Sequence, residues 1–251
     1  MNASQQPIPL LAVAHGSGDP RSTATVAAIF ERVRALRPGW DVRVSYLDHV
    51  APDPAEALAA LSADGVDEVI VLPTLLTDAF HSKVDLPRVL DAVREREPWL
   101  RIHYADTLGP HPLLVEAVER RLAESGARPD PSTALVLAST GSSDPKANAV
   151  ISAMAAELAG RGPWREVVYA HAVMASPTLG EAVAALRARG ARRVVVSEYL
   201  LAPGFFADRV RTQALEAGAS VVTDVLGNAP ELARVVWDRY DAALAADHAM
   251  A

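Results

Sequence analysis

Apolar residues along the chain fall into two kinds of segment. Short apolar runs bounded by turn residues alternate with longer segments in which apolar residues recur at helical spacing. This alternation is typical of βαβ units, whose parallel strands are buried on both faces. In the first half of the chain it predicts strands over 9–14, 41–47, 68–73 and 100–104. The helices predicted between and after them are 21–36, 54–64, 84–96 and 111–125.

The second half repeats this pattern. Its predicted strands are 133–138, 165–171, 192–197 and 219–223, and its predicted helices are 146–160, 178–189, 206–216 and 229–246. Between the halves, residues 125–132 combine a glycine and two prolines with polar residues, which is typical of a linker. We therefore predict two domains, 1–126 and 133–251, and expect each to bury its own core.

One phrase of the sequence occurs twice. Residues 14–20, AHGSGDP, return 125 positions later as residues 139–145, STGSSDP. The same offset pairs Glu56 with Glu181 and Val69 with Val194, without insertion or deletion. The pattern indicates an α/β fold of two tandem flavodoxin-like domains related by internal duplication. Each would be a four-stranded parallel sheet with helices on both faces.

The second copy lacks three groups that can bind a metal or move a proton. These groups are His15, Asp48 and His81, and their counterparts are Thr140, Val173 and Phe206. In the flavodoxin-like strand order 2-1-3-4, strands one and three are neighbours, and ligands bind beyond the carboxyl ends of the strands. His15, His81 and Asp48 follow strands one, three and two, so we expect one site in the first half only.

Composition and charge exclude several functions. A net charge of −7 disfavours general nucleic-acid binding, and the absence of cysteine excludes disulfides and thiolate metal sites. The sequence contains no uninterrupted run of about 18 apolar residues, so no membrane-spanning helix is predicted. Residues 1–8 lack the basic start of a signal peptide, so we expect a cytoplasmic protein. Neither half contains a Walker-type phosphate-binding loop, so no nucleotide is expected.

Two stretches resemble those of a known family, the class II tetrapyrrole chelatases that insert iron or cobalt into sirohydrochlorin. They are residues 14–21, AHGSGDPR, and residues 73–87, PTLLTDAFHSKVDLP. Between them, Asp48 precedes Pro52 by four residues, where the family usually shows a glutamate. The duplicated architecture extends the resemblance over nearly the whole chain, which implies two chelatase-like domains.

The resemblance implies that His15 and His81 hold an incoming divalent metal while a nearby acid exchanges protons. The implied reaction inserts Fe2+ or Co2+ into sirohydrochlorin and releases two protons, in siroheme or cobalamin biosynthesis. The metal is then a substrate, and no prosthetic group is implied. The residue types suit this chemistry, because two imidazoles leave coordination positions open, and a neutral imidazole or a carboxylate can accept pyrrole protons.

The proton acceptor is open at this point. Asp48 is one methylene shorter than the family's glutamate, and it is equally interpretable as an ordinary aspartate before a helix. His49 is an alternative, although alternation along a strand would turn it to the opposite face. His103, His111, His171 and His248 have no comparable arrangement and are assigned structural or solvent-exposed roles.

Other residues are candidates for binding the tetrapyrrole. Gly16, Ser17 and Ser22 lie where a loop meets the amino end of the first helix, whose amides favour carboxylates. Arg21, Lys83 and Arg88 are candidates for a basic rim, or else ordinary solvated charges. Asp19-Pro20 occurs in both copies and is assigned to starting the helix. Phe205 and Phe206 are expected to form a wall of the cleft.

Two other functions are alternatives to metal insertion, and each can be distinguished from it. A metal or tetrapyrrole carrier would bind without turnover. A phosphotransfer enzyme built on His15 would require an arginine where Ala14 stands. The choice among iron, cobalt and nickel, the exact tetrapyrrole, and the choice between monomer and homodimer are not determined by the sequence. The expected partner is a small tetrapyrrole, neither a nucleic acid nor a membrane.

Overall fold

A computed structural model of the chain describes residues 7–78 and 81–248, and leaves the side chains of residues 81, 247 and 248 undescribed. The first half contains β1 (Leu10–Ala14), β2 (Val42–Tyr46), β3 (Glu68–Pro73) and β4 (Arg101–Tyr104), paired in parallel in the order β2-β1-β3-β4. The second half contains β5 (Thr133–Ser139), β6 (Glu166–His171), β7 (Arg193–Glu198) and β8 (Val221–Val222), parallel in the order β6-β5-β7-β8. The predicted pair of four-stranded parallel sheets is confirmed.

Helices connect the strands at the predicted places. They are α1 (Pro20–Leu36), α2 (Pro54–Ala63), α3 (Leu86–Arg96), α4 (Pro112–Glu124), α5 (Pro145–Gly160), α6 (Leu179–Ala188), α7 (Phe205–Glu216) and α8 (Pro230–His248). One difference concerns the predicted helix 84–96, because a π-helical turn over His81–Asp85 precedes α3. Within the described residues, no helix is long and apolar enough to cross a membrane.

Local capping explains why equivalent helices start at equivalent places. Asp53 and Thr178 each accept a hydrogen bond from the backbone of a glutamate three residues later, and that glutamate accepts one in return. The partners are Glu56 and Glu181, which the duplication offset relates. Two capping boxes at matched positions fix the entry of α2 and α6 in the same way.

The central strand β1 is buried along its whole length. Its alternate residues enter two different clusters, one against α2 and α3 and the other against α1, α4 and α8. A strand covered on both faces has no solvent-facing side, which explains its uninterrupted apolar sequence.

The second of these clusters is shared by the two halves. It contains Phe30 and Leu114 of the first half together with Leu135, Tyr199 and Trp237 of the second. Two further clusters lie within one half each, as expected, but the core as a whole is not divided between the halves. The physical reason is α8, which ends the second half in sequence but packs on α1, α4, β3 and β4 of the first.

Candidate metal and tetrapyrrole site

A tight loop leads from β1 into α1 and places His15 at the carboxyl edge of the first sheet. Gly16 has a φ angle of +89°, a left-handed conformation that favours glycine. A Cβ atom at this position would lie 1.8 Å from the carbonyl oxygen of Asp48. The loop therefore needs a glycine both for its backbone angle and for its close approach to the segment after β2.

The segment after β2 runs beside this loop. The backbone amide of Leu47 donates to the carbonyl of Ala14 at 2.9 Å, and that of Asp48 donates to the carbonyl of His15 at 3.0 Å. This pairing continues the β1–β2 ladder by one residue beyond the end of β1 and by two beyond the end of β2. It brings Asp48 next to His15, as the strand order predicted.

The imidazole of His15 is exposed, and its Nδ1 lies 3.1 Å from the carbonyl oxygen of Gly16. Because a carbonyl oxygen only accepts, this contact favours the tautomer with the proton on Nδ1. In that neutral ring the lone pair is on Nε2, the atom that a metal would bind. A hydrogen bond at the second nitrogen is the usual way in which proteins orient a histidine ligand.

Asp48 and His49 form one polar pair. The carboxylate of Asp48 accepts a hydrogen bond from the His49 amide at 2.8 Å, and its other oxygen lies 3.3 Å from Nε2 of His49. The expectation that His49 would point to the opposite face is wrong. β2 ends at Tyr46 and His49 has a φ angle of +64°, so strand alternation does not apply there.

The amino end of α1 is built as expected. Asp19 caps the helix by accepting from the amide of Arg21 at 2.9 Å, and Pro20 occupies the first helical position. Ser17 accepts a hydrogen bond from the Asp19 amide at 3.1 Å, and the Ser22 amide donates to the Asp19 carbonyl at 3.0 Å. Asp144 caps α5 in the same way, which confirms a structural role for the repeated Asp-Pro pair.

The second predicted ligand, His81, begins the π-helical turn that follows β3. β3 pairs directly with β1, so this turn and the His15 loop lie at neighbouring strand ends. The side chain of His81 lies outside the described part of the structure. Among the described residues there is no cluster of three or more histidine, aspartate or glutamate side chains arranged to hold a metal.

The basic residues Arg21 and Lys83 both pair with acids of the other half. The Arg21 guanidinium contacts Asp19 and Asp208 at 2.6 Å each, and the Lys83 ammonium contacts Asp144 at 3.0 Å and Asp78 at 3.5 Å. Arg21 holds the pKa values of Asp19 and Asp208 below their usual range, and Lys83 does the same for the pKa of Asp144. Both cations and these three carboxylates are therefore charged at neutral pH.

After β6 and β7 the second half exposes four apolar side chains, three of them at positions where the first half has polar residues. Val173 and Met174, the counterparts of Asp48 and His49, are 43% and 57% exposed, and Phe205 and Phe206 at the start of α7 are 68% and 46% exposed. The loop before α7 approaches the His15 loop, since a Cβ on Gly204 would lie 3.8 Å from Ser17 Oγ. We call the region where these loops meet, together with Arg21, Lys83, Asp144 and Asp208, the interlobe mouth.

A cavity of about 630 Å3 lies beside the π-helical turn, at the carboxyl ends of β3 and β4. Its lining includes Asp78, Ser82, Lys83, Tyr104 and Arg239. The Tyr104 hydroxyl donates to the carbonyl of Ser82 at 2.7 Å and so braces the turn. The π-helical turn is therefore bordered by a cavity on one side and supported by a hydrogen bond from β4.

Sequence reasoning missed several residues at the mouth. It did not identify Asp144 and Asp208 as partners of the basic residues, nor Val173 and Met174 as exposed apolar groups. The duplication offset contains a signal for Asp144, Val173 and Met174, because it maps them onto Asp19, Asp48 and His49. Asp208 corresponds to Lys83, and only the packing of the halves shows that it meets Arg21.

The two parallel sheets, with a histidine loop in the first half alone, define a class, the two-lobed α/β proteins of chelatase type. The chain belongs to the CbiX family, which it matches over residues 9–125 and 134–243. It is 28% identical over 208 residues to a sirohydrochlorin cobaltochelatase of Priestia megaterium, covering 80% of this chain and 66% of that protein. It is also 25% identical over 219 residues to a sirohydrochlorin ferrochelatase of the same organism, covering 87% and 82% of the two chains.

A solved structure described as SirB from Bacillus subtilis with Fe3+ has the same fold. The TM-score is 0.86 at 24% sequence identity, and the alignment covers 96% of this chain and 97% of that one. The duplicated architecture is therefore that of a known two-lobed protein over nearly its whole length.

Proposed function

We propose that the protein inserts Fe2+ or Co2+ into sirohydrochlorin, with release of the two pyrrole protons. The observation that supports this most directly is the position of His15, exposed on a glycine-dependent loop at the carboxyl end of β1. Relatives named as sirohydrochlorin chelatases supply the reaction and the ligand class. Residues 1–126 would contain the metal site, and residues 133–251 would complete the cleft.

The metal is a substrate that must arrive, bind briefly and leave. In the proposal, Nε2 of His15 and the imidazole of His81 hold the divalent ion, and its remaining positions stay open to water and then to the macrocycle. Two borderline ligands are enough to capture a first-row divalent ion and too few to enclose it. The orientation of His15 by the Gly16 carbonyl prepares the ring without adding a third ligand.

The protons need an acceptor beside the macrocycle. Replacing two pyrrole N–H bonds by bonds to the metal releases two protons for each M2+ inserted, so charge is conserved. Asp48 and His49 form an exposed pair next to the His15 loop, and each has an atom that can take a proton. We propose that Asp48 accepts these protons one at a time and passes each to the surrounding water, with His49 as its hydrogen-bonding partner.

The macrocycle would lie across the interlobe mouth. A flat conjugated ring exposes two apolar faces, and the exposed Val173, Met174, Phe205 and Phe206 offer a matching apolar surface. At the polar side, Gly16, Ser17 and Ser22 lie at the start of α1, where backbone amides favour ring carboxylates. Arg21 and Lys83 lie at the edge of the same opening.

The test follows the absorption of metal-free sirohydrochlorin after addition of Fe2+ or Co2+, with and without protein. We expect the protein to accelerate loss of the free-base spectrum. We expect a His15→Ala, His81→Ala double variant to fall to the rate with metal alone, because both proposed ligands are gone. Thr140→Ala, at the duplicated position of His15, is the matched control and should retain the wild-type rate.

Equal rates for the wild type and the double variant would reject the proposal. Tight stoichiometric binding of metal or tetrapyrrole by the wild type, without acceleration, would indicate a carrier instead.

A further inference from the structure

Two ion pairs cross between the halves at the interlobe mouth, and the duplication relates their members. Asp144 corresponds to Asp19 and Asp208 corresponds to Lys83. Exact repetition of the Lys83–Asp144 pair would therefore bring Asp208 against Asp19, two groups of the same charge. Arg21 lies between these two carboxylates and contacts both at 2.6 Å.

Each cation at the mouth is thus balanced by two acids. Arg21 contacts Asp19 and Asp208, and Lys83 contacts Asp144 and Asp78. Neither corner presents a net positive charge to an approaching anion. A ligand carboxylate that reaches Arg21 or Lys83 therefore competes with internal carboxylates for the same cation.

The side chains of both ion pairs are exposed enough for a ligand carboxylate to replace an internal one. The side chains of Arg21 and Asp208 are 52% and 57% exposed, and those of Lys83 and Asp144 are 38% and 30% exposed. Exposed ion pairs contribute little net stability and are readily exchanged. The halves themselves are joined by a shared apolar core, so the mouth can change by side-chain movement without separating them.

We propose that Asp144 and Asp208 are internal counter-ions that hold Lys83 and Arg21 until carboxylates on the edge of a macrocycle replace them. They would thereby select a planar ligand whose carboxylates reach both corners. This inference rests on the proposed function, since it concerns how the same ligand class is recognised. It adds two residues of the second half to the determinants of specificity.

The test measures binding of the octacarboxylate porphyrin uroporphyrin I by quenching of its fluorescence. The variant is Asp144→Asn, Asp208→Asn, which keeps the shape of both side chains and the ability of residue 144 to cap α5. The matched control is Asp64→Asn, Asp241→Asn, which changes the net charge equally and also releases two exposed arginine pairs, those with Arg43 and Arg37.

In the wild type, one set of ion pairs replaces another, so the dissociation constant should depend only weakly on salt. Removing one of the two acids from each cation should lower the dissociation constant about 3- to 10-fold at low salt, and this gain should shrink as salt screens the new pairs. The control variant should bind as the wild type does. Binding by the Asn variant alone would equally support the proposal.

An unchanged or weaker affinity of the Asp144→Asn, Asp208→Asn variant would overturn the inference. So would an equal gain in the control variant, which would attribute the effect to net charge, or a failure of all three proteins to bind. Insertion into sirohydrochlorin is measured separately. A wild type that shows the exchange but no insertion would reject the proposed function and leave the counter-ion assignment standing.

Discussion

At the scale of single residues, the loop around His15 depends on one glycine. Gly16 combines a φ angle of +89° with a backbone approach that leaves no room for a Cβ. Its neighbour Gly18 has nothing within 4 Å of the place that a Cβ would occupy. The two glycines lie in one loop and differ in the requirement for a missing side chain.

We expect Gly16→Ala to lower the free energy of unfolding by at least about 1–3 kcal/mol, because the backbone is strained and Asp48 must move. Gly18→Ala, the control, should change it by less than about 0.5 kcal/mol. Denaturant unfolding of both variants measures the difference. Similar losses for the two would show that the close approach of Gly16 to Asp48 has no energetic importance.

A second residue of interest, Glu198, ends β7 with its side chain buried. Its amide donates to Thr223 Oγ1 at 3.1 Å, and one carboxylate oxygen lies 3.4 Å from the Arg211 guanidinium. Burial raises the pKa of Glu198 to about 7, and Arg211 opposes this rise only in part. The carboxyl therefore keeps a proton in the folded protein at pH values where an unfolded glutamate has lost it.

This pKa predicts a pH-dependent stability difference between Glu198→Gln and the wild type. The pKa of Glu198 in the folded protein lies above the unfolded value of 4.5. The contribution of its protonated carboxyl to the free energy of unfolding is therefore fully present below pH 4.5 and is lost as pH rises through about 7. The Gln variant should become more stable than the wild type over that range, by on the order of 2–3 kcal/mol above pH 7. The measurement is the free energy of unfolding of both proteins from pH 4 to 8. A difference between them that does not change with pH would contradict the raised pKa of Glu198.

Residue-level prediction from the sequence succeeded where the chemistry was local. The repeated Asp-Pro pair defined a helix start, and Asp19 and Asp144 cap their helices as expected. His49 and Glu198 were different. The orientation of His49 depends on a left-handed turn after β2, and the burial of Glu198 depends on contacts with Arg211 and Thr223, which follow it in the sequence.

At the scale of elements, α8 is the main connection between the halves. Trp237 is almost completely buried, and its indole N–H donates to the carbonyl of Val33 in α1 at 3.0 Å. The Arg37 guanidinium lies 4.4 Å from the centre of the Trp237 ring and also pairs with Asp241. These contacts fasten a helix of the second half onto a helix of the first.

We expect Trp237→Ala to cost about 3–5 kcal/mol of unfolding free energy, because it removes a large side chain from the shared core. Trp99 is 63% exposed, so Trp99→Ala is the control and should cost less than about 1 kcal/mol. Chemical denaturation followed by circular dichroism measures both. A small effect of Trp237→Ala would mean that the halves do not depend on α8.

Most elements could be predicted from periodicity because strands buried on both faces and capped helices have local signatures. The predicted strand 68–73 is β3 itself, and the predicted helix 206–216 differs from α7 by one residue. The π-helical turn before α3 could not be predicted, since it depends on how residues 81–85 are braced by Tyr104. The packing of α8 on the first half could not be predicted either, because it depends on tertiary contacts and not on local sequence.

At the scale of the whole molecule, duplication produced two similar sheets that differ in the side chains at their strand ends. The first half has His15 where the second has Thr140, and the second half exposes Val173 and Met174 where the first has Asp48 and His49. The shared core fixes the two against each other, so the interlobe mouth is a lasting feature of the fold. We propose that the division of labour is metal capture on one side and contact with the macrocycle on the other.

In the proposed function, His15 and His81, far apart in sequence, share one exchangeable cation. The most direct measurement is a crystal structure after soaking with Co2+, using anomalous scattering to locate the metal. We predict one peak at about 2.1 Å from an imidazole nitrogen of each histidine, with further positions filled by solvent. Cobalt bound elsewhere, or two imidazoles directed into separate pockets, would contradict the account.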